Sequence, residues 1–286
     1  AVRRAFTLLE LLVVIVLLVV VVSVFLPASE NVRRAGGRIR CKQGLQQIAQ
    51  ACLQYRDLHG HFPPGTVPGA NRPPDERLSY LVLLLPHLES EAVFQTFDRS
   101  AAWDAEPNRK ALDGKTPWYR FECNEWSGTT QGYEARRRLP LNVGYTVYTT
   151  YVGVAGVGAD AAARPADAPG IGMLGYDRTL TAEQIKDGLS NTALILEAGY
   201  EVGPWLRGGR STVRPLDPDA GPLTGPGAAF SGTHIRDRSF FRGRTSDGFH
   251  VLTADGSVRN VQDDIRPEVL TALATVAGGE ELPAAW

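Results

Sequence analysis

Glu10 is the one acid in an apolar run from Ala5 to Leu26, where the other polar residues are Thr7 and Ser23. An ionised carboxylate costs about 2.5–3.5 kcal/mol near the centre of a bilayer and less near its interface, so an acid in such a run reads as functional. The fifteen apolar residues of Leu11–Leu26 gain about 6 kcal/mol at roughly 0.4 kcal/mol each, and the segment is expected to insert despite Glu10. The chemistry open to the carboxylate is ion pairing with a cation inside lipid.

The three cysteines are the next reactive groups. Cys41, Leu45, Ile48, Cys52 and Tyr55 recur at helical spacing and predict one face of a helix. On it Cys41 and Cys52 stand about 16 Å apart along the axis, whereas a disulfide needs Cα atoms roughly 5.5 Å apart. Cys123 then pairs with one of them, or all three stay thiols. On the oxidising side of a membrane a bridge is favoured. The expected pair is Cys41–Cys123, with Cys52–Cys123 as the alternative and Cys52 otherwise a buried apolar residue.

Catalytic and metal constellations are weaker. Ser231, His234 and Asp255 make a hydrolase triad on paper, but no G-x-S-x-G nucleophile elbow occurs, and Asp255-Gly256 reads as turn chemistry. His59 and His61 are two apart, a spacing that diverges on a helix, and no zinc-type cysteine pair lies near. Asp160, Asp167, Asp187, Asp263 and Asp264 lack the D-x-D-x-D-G ladder of a calcium loop. Tyr148, Tyr151, Trp118 and Trp205 are read as core aromatics before a glycan-stacking face. No enzyme activity, metal or cofactor is expected.

These groups need elements to position them. The helix should continue beyond Pro27, with Gly36-Gly37 as a flexible joint, and end at Gly60 and Pro63-Pro64. Helical segments follow at Tyr80–Leu85 and Leu88–Phe97, separated by Pro86. Thr146–Val154 and Thr192–Glu197 read as strands. Thr181 to Gln184 has the pattern of a capping box. Val251 to Val258 reads as a hairpin with Asp255-Gly256 supplying the positive φ angles of a tight turn, and a last helix spans Pro267–Ala277. Together these give an α+β fold, a helix packed on an antiparallel sheet.

Arg3-Arg4, Ala5, Phe6, Thr7 and, fifth from Phe6, Glu10 resemble the processing signal of type IV prepilins and type II secretion pseudopilins. The resemblance implies that a prepilin peptidase cuts between Ala5 and Phe6 and methylates the Phe6 amine. It also implies that Glu10 pairs with that amine on a neighbouring subunit during assembly, and that Pro27 bends the helix. Those families usually carry Gly where Ala5 stands. Further on, CKQGLQQIAQACLQYRDLHGHFPPG, LLLPHLESEAVF, YTTYVGVAG, IKDGLSNTALILEAG and ADGSVRNV occur in the order found in a mostly planctomycete family of pilin-like proteins of unknown function. That family has a C-terminal H-X9-DG motif. Here His234 lies far upstream of Asp255-Gly256, His250 is too close, and Cys123-Asn124-Glu125 replaces the common Cys-Pro-Ser.

The implied organisation is a leader (residues 1–5), a transmembrane assembly helix (6–28), the soluble half of that helix (29–58) and an α+β head (59–286). The implied fold is pilin-like, with a long N-terminal helix on an antiparallel sheet with irregular loops. The partners are the membrane, prepilin peptidase, and self or other pilin-like subunits. The head lies on the extracytoplasmic side of the inner membrane or in an extracellular filament. Arg33, Arg34, Arg38, Arg40 and Lys42 after the span outnumber the leader arginines, against the positive-inside tendency, so the orientation follows the resemblance. A secretory signal peptide would need a small-x-small site after its apolar core, and Phe25-Leu26-Pro27-Ala28-Ser29 is a poor one. A formal net charge of −1 gives no electrostatic footprint for nucleic acid. The alternative from another class is a membrane-anchored extracytoplasmic binding or adhesion module.

Overall fold

The computed structural model describes residues 8–69, 71–111, 121, 123, 148–225, 228, 230, 232, 235–237, 244–246, 248–283 and 286, with the backbone alone for 22–34, 235–237 and 244–246. Helix α1, Leu8–His59, runs 52 residues without a break through Pro27 and through Gly36-Gly37. The glycine pair is therefore no interruption: Gly37 is buried, and the Arg40 Nε donates to the Gly36 carbonyl at 3.3 Å. The helix ends where Gly60 takes φ +78° and its N–H caps the Arg56 carbonyl at 2.7 Å.

The C-terminal part of α1 buries Cys41, Leu45, Ile48, Ala49, Cys52 and Tyr55, the stripe that helical spacing demands. It lies on one face of a five-stranded sheet in the order β3-β1-β2-β6-β7. The strands are β1 (Tyr151–Val157), β2 (Ala193–Glu197), β3 (Val213–Leu216), β6 (Phe249–Thr253) and β7 (Val258–Val261). Between β3 and β6, a separate antiparallel pair is formed by β4 (Ile235–Asp237) and β5 (Arg244–Ser246). The short helices α2 (Tyr80–Leu83), α3 (Glu91–Phe94) and α4 (Glu106–Ala111) precede the sheet. The last helix, α5 (Pro267–Ala274), covers the opposite face, packing Leu270, Leu273 and Ala274 against Val152, Val154, Leu196 and Val251. Helix, sheet and helix form three layers.

The sheet is mixed, not antiparallel. β1 pairs antiparallel with β2 but parallel with β3. Glu197, the end of β2, sits opposite Tyr151, the start of β1, so the chain leaves β2 at the end of the sheet where β1 begins. It then starts β3 from that same end, and a strand that enters beside the start of β1 runs parallel to it.

Other boundaries move for local reasons. β1 starts at Tyr151 because the residues before it are held by loops: Thr149 N–H donates to Gly203 and Thr150 N–H to Phe121, while Thr146 lies outside the described residues. Pro86 does not separate two helices. It lies early in a 3₁₀ turn, Leu85–Leu88, where its missing N–H has no intrahelical role. α5 stops at Ala274 because Thr275 turns extended and Val276 N–H bonds Ile171, tying the tail to the β1 side.

The Asp-Gly hairpin is also looser than a two-residue turn. Residues 254–257 connect β6 to β7, and only Gly256 takes positive φ, at +90°. A Cβ there would lie 2.9 Å from Leu53 Cδ1 on α1, so the turn abuts the helix. Gly256→Ala is expected to cost about 1–2 kcal/mol from the left-handed backbone, with Leu53 displaced as well. Gly60→Ala, at a similar φ but with nothing within 4 Å of the new Cβ, should cost the backbone part alone. Urea unfolding of the two variants side by side checks the difference; equal losses would remove the contact with α1 from the argument.

Candidate functional site

Ala5 and Phe6 lie outside the described residues. Glu10 is exposed in the first turn of α1, where an acid favours the helix dipole. Around it Leu8, Leu9 and every residue of Leu11–Val21 are exposed, from 42% at Val14 to 84% at Leu8. Among the described residues no helix is long and apolar enough to cross a membrane. The side chains described in the apolar run stop at Val21, short of the about 20 residues that a span takes. At Pro27 only the helical backbone is described.

The C-terminal part of α1 is tied to the sheet by a disulfide. Of the pairings open to the three cysteines, the structure forms Cys41–Cys123, with Cα atoms 4.9 Å apart, and leaves Cys52 as a buried thiol. Burial pushes the Cys52 thiol up to about 12, so it is uncharged and unreactive at neutral pH. Polar groups at and just before the start of β1 brace the bridge. Tyr151 Oη donates to the Cys41 carbonyl at 3.0 Å, and Cys123 N–H donates to Thr150 Oγ1 at 2.9 Å.

Beside the bridge stands a charged residue absent from the sequence expectations, Glu197, fully buried at the end of β2. Its Oε2 accepts the His250 N–H at 3.1 Å and lies 2.9 Å from His250 Nδ1. His250 enters from β6, the strand next to β2. Among the described residues, Cys41, Cys123 and Glu197 are three donors whose ligand atoms all lie within 4.8 Å of one another, but the two sulfurs are spent on each other. The sequence carries a signal for Glu197: an acid closes an otherwise apolar run, Ala193–Leu196, with no alternation to put it on a wet face.

Two arginines are buried in the same structural spirit. Arg178 donates to four carbonyls, those of Ala155, Ala161, Arg164 and Gly172, and gathers residues 158–178 against β1. Burial pushes it down to about 10. Arg214 on β3 donates to Tyr200, Glu201 and Arg210, and burial likewise takes it to about 10. Tyr148, Tyr151 and Trp205 are core residues, and Trp118 lies outside the described residues.

At the hairpin, Asp255 closes its own turn. Its carboxylate accepts from Thr253 Oγ1 at 2.6 Å, Ser257 N–H at 2.9 Å and Ser257 Oγ at 3.0 Å. Partial burial pushes the Asp255 carboxyl up, but these bonds outweigh it and hold it below the usual range. Asp255 and Gly256 thus serve the turn and its contact with α1. His234 and Ser231 lie outside the described residues. The position separated from Asp255 by nine residues is filled by Thr245 on β5, not by histidine.

The geometry therefore defines an α/β head with a mixed sheet, clamped by a disulfide to a long, N-terminally apolar helix. A family model described as "Protein of unknown function (DUF1559)" matches residues 30–268, and the chain belongs to that family. No curated protein and no solved structure matches it.

Proposed function

We propose that the chain is a pilin- or pseudopilin-like structural subunit, inserted in the inner membrane by the apolar half of α1 and built into a filament of the type IV pilus or type II secretion kind. The observation that carries this reading is α1 itself. Its 52 residues span about 78 Å at 1.5 Å per residue, more than twice the roughly 30 Å of a bilayer core. The exposed apolar part, which in sequence continues to Leu26, is the half that enters lipid, and the half from Cys41 onward is the half the head holds. The Cys41–Cys123 bridge fits an extracytoplasmic, oxidising location for the head. The role is one of assembly and not of catalysis.

Cleavage is the step that separates this reading from a plain anchor. Prepilin peptidase is expected to cut the Ala5–Phe6 bond and leave an N-methylated Phe6. Mass spectrometry of the native mature N-terminus, together with electron microscopy of cells labelled by an antibody to the head, tests it. A methylated Phe6 and labelled filaments are expected. A start near Ser29, or an uncut leader with label confined to the cell surface, would instead favour the anchored binding module.

A further inference from the structure

Between the apolar run and the part of α1 that the head holds lies a strongly basic stretch. Residues 27–42 carry Arg33, Arg34, Arg38, Arg40 and Lys42 against one acid, Glu30, although the chain as a whole has a formal net charge of −1. On the side that the proposed reading translocates, such a cluster runs against the positive-inside tendency. Insertion by itself leaves these cations unexplained.

The helix sets where they stand. α1 is unbroken from the apolar run through Lys42. At 1.5 Å per residue the Cα atoms of Arg33 and Arg34 lie about 10–12 Å past Leu26, those of Arg38 and Arg40 about 18–21 Å, and that of Lys42 about 24 Å. At 3.6 residues per turn the five positions spread over about 200° of the circumference, a partial collar and not a stripe. Cα–Cβ bonds tilt toward the helix N-terminus, so long side chains lean back toward the apolar run. Arg40 does so. It is exposed, its Nε donates to the Gly36 carbonyl at 3.3 Å one turn nearer that run, and a Cβ added at Gly36 would meet its Nη2 at 4.0 Å. Lys42 is exposed as well, and Arg38 is half-buried.

A headgroup layer extends about 5–7 Å beyond the hydrocarbon, so Arg33 and Arg34 have their backbone just outside it and their side chains directed into it. A Debye length of about 8 Å at physiological ionic strength carries the attraction out to Arg38 and Arg40 and leaves it weakest at Lys42. Guanidinium groups also pair with phosphate through two parallel hydrogen bonds, which an ammonium does not. A second copy of the chain is the poorer occupant, because two such collars at one depth bring like charges together. We infer, resting on the membrane reading above, that the collar binds the phosphate groups of anionic phospholipids on the face of the bilayer from which the head projects, with Arg33, Arg34, Arg38 and Arg40 as the contacting residues. The contact holds α1 at one depth.

Electron paramagnetic resonance of the full-length protein in phosphatidylcholine bilayers, with a trace of spin-labelled phosphatidylglycerol or phosphatidylcholine, tests it. Motionally restricted lipid at the protein boundary is expected to favour phosphatidylglycerol about threefold or more at low ionic strength, and to lose that preference near 1 M salt, where the Debye length is about 3 Å. Replacing Arg33, Arg34, Arg38 and Arg40 together by glutamine should bring the preference to about one, whereas Lys42→Gln should leave it unchanged. Far-UV circular dichroism checks the fold of the variants, and the salt dependence of the wild type stands without them. Restricted lipid without a preference, a preference that survives high salt, wild-type preference in the folded quadruple variant, or its loss in Lys42→Gln overturns the inference and leaves the membrane reading intact. Absence of restricted lipid of either kind overturns the membrane reading itself, and this inference with it.

Discussion

Replacing Cys41 and Cys123 together by alanine is expected to destabilise the head by about 4.5 kcal/mol. The bridge closes a loop of 82 residues, and the chain-entropy model assigns about that much to a loop of this length. The loss should be large because of what the bridge joins. Cys41 lies at the start of the buried stripe of α1, and Cys123 hangs from Thr150 just before β1, so the bridge fixes the helix to the sheet near the N-terminal end of the stripe. Without it Glu197 also loses the dry wall that excludes water from its carboxylate. Cys52→Ala is the control. It removes one buried sulfur from the same helix face and should cost only about 1–2 kcal/mol. Chemical unfolding of the detergent-solubilised full chain, wild type against both variants, measures the difference. Equal losses for the single and double variants would show that the bridge adds nothing beyond packing.

Glu10→Leu is expected to abolish filament assembly while leaving membrane insertion intact or improved. A carboxylate in lipid carries an insertion cost that leucine does not. On the proposed reading that carboxylate would meet the cationic amine of a neighbouring Phe6 in a filament, and each charge would offset a desolvation cost that neither escapes alone. Removing one member leaves the amine buried without its counter-charge. Glu10→Asp keeps the charge but shortens its reach, so assembly should weaken and not vanish. Sheared-filament yield set against membrane-fraction abundance separates assembly from insertion. Filaments at wild-type yield from the leucine variant would make the acid incidental and turn attention to the head as a binding module.

The Asp255-Gly256 pair shows how a motif and its role come apart. Its order in the chain belongs to the sequence, yet the use of Gly256 is visible only where its bare Cα faces Leu53 of α1, two hundred residues earlier in the chain.

What the sequence determined by itself was whatever depends on near neighbours. The apolar run with its one acid, the helical stripe from Cys41 to Tyr55, the capping box at Thr181–Gln184 and the left-handed stop at Gly60 all follow from periodicity and backbone preference within a few residues. The geometric bar to a Cys41–Cys52 bridge is of the same kind. What only the tertiary structure decided depends on which distant segments meet. The parallel pairing of β1 with β3 follows from the end of the sheet at which β2 lets the chain go. The burial of Glu197 follows from His250 arriving on the adjacent strand, and the placing of His87 beside Tyr55 follows from a proline turn packed against the end of α1. Local propensity acts over a helical turn or a strand, whereas these contacts are set by the packing of layers, which a single chain's local pattern does not encode.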